Sequence, residues 1–383
     1  MKRMIKLCIL LLTGILIFSL CSLHISAEEA YVPDDLLSAS GADELADDLA
    51  PDVQEVLEKY DIAAGNPDAV DNLGVRELLG AFWETIIGPI CAPLRILFTL
   101  TAVTAFTALL QGMQGGLRGG MQQMSDLIVV MAAAAASVPD VCRCFLRVRE
   151  TLTQCADFMS AFTPVFAGIL MTSGSVGAGM GYQTAVYALV SIIMQIIEAV
   201  LLPVLSMCLA LSIADAVSPH VSLGGLLGFC KTCTTWLLGF LMTIFLGVLS
   251  IQGIVRGATD SFAAKTARYV VSNFVPFIGG AVSDAYGTVL GSLKILRSST
   301  GFVGIVTLCI LFLPVLVQLI LYRFAVSGAA AVAELFSASA LTKLLRGMEQ
   351  ALQMTVAVLI CFAVMFLVAI ALVLLLSSGS GAI

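Results

Sequence analysis

The sequence predicts an all-α fold: a polytopic helical membrane protein of about eight transmembrane helices, with six to eight as the range, behind a cleaved signal peptide. Three observations carry that prediction. Of the 383 residues, 59% are hydrophobic and 12% are charged, about half the charged share of an ordinary soluble domain. Apolar runs long enough to cross a bilayer recur along the chain. Two ordered motifs also recur at matching spacing, which points to an internal duplication of a three-helix unit. Phe162-x-Pro164-x-x-x-Gly168 is repeated as Phe274-x-Pro276-x-x-x-Gly280, and Leu202-Pro203-Val204-Leu205 as Leu313-Pro314-Val315-Leu316. The offset is about 111 positions.

The chain opens with an export signal over residues 1–27. Lys2, Arg3 and Lys6 precede an apolar core from Leu7 to Leu20, and Ile25-Ser26-Ala27 offers a cleavage site. The rival reading is an uncleaved anchor helix. Lipidation at Cys21 fits poorly, because Leu20 is too large for the position before a lipidated cysteine. Residues 28–84 form an acidic extracytoplasmic leader, with sixteen Asp or Glu against Lys59 and Arg76. Its first part is poorly patterned. Val53, Val56, Leu57 and Tyr60 then mark one face of a short amphipathic helix. Leu78, Phe82 and Ile86 beside Trp83 mark an interfacial helix, or else a plain extension of the first span.

Residues 85–383 form the membrane domain. The first span is expected over about Ala92–Gln111, followed by a Gly-rich turn with Arg118. The first repeat unit, about 121–215, comprises Met124–Leu146, Ala156–Thr172 and Thr184–Ala214. The second, about 231–330, comprises Thr234–Val255, Tyr269–Leu293 and Gly301–Val326. A polar hairpin through Glu334, Lys343, Arg346 and Glu349 leads to a last span over 354–376. Three crossings per unit would invert the second relative to the first, as in many transporters. Basic residues are spread too evenly over the loops to fix the orientation.

Polar residues inside apolar segments are the candidate functional ones, because a charge there is costly and faces protein or water. Ser191, Gln195, Glu198 and Ser206 fall on one helical face. They line a polar pathway or form a hydrogen-bonded packing seam. Pro164, Pro203, Pro276 and Pro314 would break or kink their helices. The motif residues Phe162, Pro164, Gly168, Phe274, Pro276 and Gly280, with Asn273 and Asp284 beside the second copy, are therefore candidates for broken helices lining a passage, or for simple kinks. Cys142-x-Cys144 and Cys230-x-x-Cys233 lack the further ligands a metal site needs, and His220 stands alone once His24 leaves with the signal. No phosphate-binding loop occurs, and basic charge is not clustered as nucleic-acid binding requires. The expectation is a non-enzyme with no cofactor, no metal and no nucleic-acid partner, working in contact with membrane lipid.

The signal, the acidic leader and the stretch Lys265-Thr266-Ala267-Arg268-Tyr269-Val270-Val271-Ser272-Asn273-Phe274-Val275-Pro276-Phe277-Ile278-Gly279-Gly280-Ala281-Val282-Ser283-Asp284 resemble the stage III sporulation protein AE family. The likeness runs over almost the whole mature chain. It implies an endospore-forming bacterium and a multi-pass protein of the mother-cell membrane that engulfs the forespore. The implied partners are ring-forming single-span proteins, an ATPase resembling secretion motors and a forespore protein, which together build a channel or feeding tube. The resemblance carries over no catalytic or binding residue. Two other classes of function stay open, a self-contained secondary transporter and a non-conducting scaffold.

Overall fold

A computed structural model describes Gln54 and residues 91–113, 119–172, 176–217, 223–274 and 279–378. The signal peptide, the interfacial segment around Trp83, His220, Pro276 and, apart from Gln54, the acidic leader lie outside the described residues. Those described residues hold helices and no strand: α1 Cys91–Met113, α2 Gly119–Thr172, α3 Val176–Ile196, a π-helical turn Ile197–Leu201, α4 Leu202–Val217, α5 Gly224–Phe274, α6 Gly279–Leu335 and α7 Ser339–Ser378. Six stretches among them are long and apolar enough to cross a membrane: Ala92–Leu109, Leu127–Ile169, Met180–Val217, Gly224–Ser250, Ser299–Leu335 and Ser339–Ala371. The chain is a polytopic helical membrane protein.

Helix boundaries depart from the expected segments in three places. Met124–Leu146 and Ala156–Thr172 are not separate spans but parts of one 54-residue helix, α2, which runs through Pro139 and Pro164. The charged stretch between them stays helical because Val141, Cys144, Val148, Leu152 and Cys155 keep a buried face at helical spacing. Tyr269–Leu293 is no single helix, since α5 ends at Phe274 and α6 starts at Gly279. From Gly279 one 57-residue helix takes in the rest of that segment and all of Gly301–Val326. The two expected units are thus not divided alike.

Helix α7 is the centre of the bundle. Of its apolar stretch 83% is buried, against 28% for that of α1, as expected of a helix that is hydrophobic all round. It packs on α6, α4, α2 and α5. Two glycines allow the closest approaches: a Cβ at Gly304 on α6 would meet the Phe162 ring of α2 at 2.8 Å, and one at Gly347 on α7 would collide with Ser212 on α4. The α6–α7 turn closes through Ser337 in the left-handed region (φ 55°), with the Ala338 N–H donating to the Ala333 carbonyl.

Hydroxyls in the apolar stretches largely serve their own helices. Thr107, Ser137, Thr163, Ser212, Thr234 and Thr355 each donate to the carbonyl four residues back, which removes an unsatisfied donor from a solvent-poor setting. Charges, by contrast, gather in a belt part-way along the bundle. Arg143 pairs with Asp140 at 2.6 Å, Arg147 donates to Gln318 Oε1 of α6 at 2.9 Å, and Arg323 of α6 lies 3.9 Å from Glu349 of α7. Glu349 in turn accepts from Arg346, which also holds Glu334.

Candidate functional site

Helices α2 and α3 run antiparallel on either side of residues 173–175. Their shared seam is aromatic on the inside. Phe158, Phe162 and Phe166, four apart on α2, stack in sequence with ring centroids 5.4 and 5.5 Å apart, and Phe166 meets Tyr182 of α3 at 6.4 Å. The outer side of the same seam is polar. A cavity of about 280 Å³ opens there, lined by Thr153, Asp157 and Ser160 from α2 and by Tyr187, Ser191 and Glu198 from the α3 side. Glu198 sits in the π-helical turn. Its Oε1 accepts from Arg149 Nε at 3.2 Å, with Arg149 Nη2 also 3.2 Å away.

The π turn has a local cause. Pro203 has no N–H to donate, and its ring would press on the carbonyl four residues earlier, that of Ala199. A widened turn over Ile197–Leu201 relieves that crowding, as inserted π turns do within helices. It places Glu198 outward, toward Arg149. Sequence reasoning marked Glu198 but missed Arg149. The two residues lie about equally far from residues 173–175, and counting outward from that connection pairs them.

The expected polar stripe is brought together in part. Ser191 and Glu198 line the cavity, Gln195 is exposed on the same side, and Ser206 is not in the lining. The Ser206 hydroxyl donates to the Leu202 carbonyl at 3.1 Å. The first motif copy is no helix break. Phe162 is fully buried with its ring against Gly304, Pro164 is exposed within an unbroken α2, and Gly168 is half-buried. The physical reason is that Pro164 costs α2 one hydrogen bond while the aromatic ladder on its buried face holds the helix on both sides. In the second copy, Asn273 and Phe274 end α5, while Gly280 and Asp284 lie in the first turns of α6. Pro314 is likewise inside a continuous helix.

Energies separate the parts of this site. The Arg149–Glu198 pair has both side chains about half exposed, so in water it would contribute roughly 0–1 kcal/mol. Facing lipid, a lone charge costs about 2.5–3.5 kcal/mol on insertion scales. Glu150 and Asp157 are both exposed on the outer face of α2, within its apolar stretch. Among the described residues, neither carboxylate has an ion pair or hydrogen bond. That face is therefore not built to meet lipid chains. It can accept hydrogen bonds and pair with donors on a neighbour.

The cysteine pairs do not form joint sites. Cys142 is exposed while Cys144 is buried, and Cys230 is buried while Cys233 is exposed. Among the described residues no three His, Cys, Asp or Glu side chains gather as metal ligands.

Comparison with known proteins gives one family. The family model described as "Stage III sporulation protein AE" matches residues 62–377. A protein of Bacillus subtilis (strain 168) named "Stage III sporulation protein AE" is 24% identical over 241 residues, which cover 62% of this chain and 60% of that protein. The chain thus spans less than two thirds of that relative's length. No solved structure matches.

Proposed function

The chain belongs to the stage III sporulation protein AE family, and from that premise we propose that it is the multi-pass membrane component of a transport or secretion complex joining mother cell and forespore, required for endospore formation. The proposed location is the mother-cell membrane that surrounds the forespore. The partners, on this reading, are ring-forming single-span proteins, a secretion-type ATPase and a forespore protein. The observation that carries the reading is a membrane bundle whose centre is filled by α7 while its polar groups face outward beside α2 and α3. Such a chain is suited to seat neighbours and to border a path between itself and them. A second reading, a self-contained proton-coupled carrier, draws on Glu198 in its π turn.

One experiment tests both. Deleting the gene in its own organism should abolish heat-resistant spores and leave vegetative growth unchanged; normal spore yield would overturn the proposed role. Restoring the gene with Glu198→Gln should return spore yield to the native level if the chain works as a component that seats partners. Loss of spores with normal levels of the variant in the membrane would favour the carrier.

A further inference from the structure

We propose that the outer face of α2 is an interface for a second copy of this chain, arranged as a two-fold dimer with its axis along the membrane normal. Such an axis brings equal heights of the two copies together, and a two-fold interface must be self-complementary. The face meets that condition. Arg149 and Glu150 are adjacent in sequence and both exposed, so Arg149 of each copy faces Glu150 of the other. Arg149 directs Nε and Nη2 at Glu198 of its own chain. A guanidinium has five donors, so Nη1 is left for the second copy's carboxylate.

Deeper along the same face the side chains are small. Ala156 and Ser160, four apart, line the groove, the spacing that lets membrane helices approach closely. Between them Asp157 is exposed, and among the described residues its carboxylate has no partner. Thr153 and Ser160 of the second copy lie within about one helical turn of it, and either hydroxyl reaches it by giving up its bond to the Arg149 or Asp157 carbonyl of its own helix. The exposed face of α5, with Trp236 and Phe240, has the apolar character of a lipid-facing surface and serves as the control.

The full chain in lipid nanodiscs carries the test. A photo-reactive benzoylphenylalanine replaces Ser160 in one sample and Phe240 in another. The proposal expects an adduct of doubled mass joining α2 to α2 from position 160 and none from position 240. Adducts with lipid alone at position 160, or doubling from position 240 alone, would overturn it. The charge pattern gives an independent readout with two differently tagged copies. Glu150→Arg alone and Arg149→Glu alone should each self-associate at least about tenfold more weakly than the native chain. Mixed together, the two variants should recover association, because every facing pair is again opposite in sign. Native-like self-association of both single variants, or no recovery in the mixture, would sink the proposal.

Discussion

At the scale of single residues, the close contacts matter more to stability than the charges. Gly304 lies under the Phe162 ring, with Ile370 Cδ1 also 3.2 Å from where a Cβ would stand. Gly304→Ala therefore overpacks a filled seam and should cost about 1–3 kcal/mol, visible as a lower thermal midpoint in detergent. Phe162→Leu in the same chain should recover part of that loss, since the ring is the obstacle; no recovery would mean that the strain lies elsewhere. Arg149→Ala should change the midpoint little, because a half-exposed pair contributes about 0–1 kcal/mol. Phe162 was visible in the sequence as part of a repeated motif, yet its role was not. The motif suggested a broken helix, whereas the residue is the middle of an aromatic ladder with Phe158 and Phe166. The four-residue spacing of those three rings was the legible signal for packing.

At the scale of elements, apolar length and composition located the helices but not where they join. Ala92–Gln111 and Thr184–Ala214 fall within α1 and the α3–α4 pair. Proline was the poor guide. Pro139, Pro164 and Pro314 all sit inside continuous helices, because one lost hydrogen bond is outweighed when the helix is packed on both sides of it. Pro203 alone among the described prolines follows a π turn, and that turn aims Glu198. Pro203→Ala restores a donor and removes the ring from the Ala199 carbonyl, so the turn should tighten toward regular α-helix. The check is the distance between spin labels on cysteines placed at Arg149 and Glu198. It should lengthen with Pro203→Ala relative to the native background. Equal distances would show that the π turn does not depend on the proline.

At the scale of the whole molecule, the apolar helices are too long for one bilayer. The stretches on α2, α3–α4 and α6 run to 43, 38 and 37 residues, or about 55–65 Å at 1.5 Å per residue, against about 30 Å of hydrocarbon. The charged belt through Arg147, Gln318, Arg323 and Glu349 divides α6 into residues 299–317, about 28 Å long, and residues 324–335, about 18 Å, so the first zone alone matches the thickness of a bilayer. The zone holding residues 299–317 of α6 has the cleaner limits, with Arg297 before it and the belt after it. The other zone carries exposed Phe98, Phe106, Ile128 and Phe324 yet shares its height with the Glu334–Arg346 pair, which belongs in water. A bilayer on the first zone leaves the second for other proteins to cover. Single cysteines in nanodiscs decide between the two placements. At Phe240 and Ile244 a water-soluble maleimide should react slowly; at Phe98 and Phe324 it should react fast in the isolated protein. The reverse pattern would move the membrane to the other side of the belt and leave the groove beside Asp157 in water, where its unpaired carboxylate would need no partner at all.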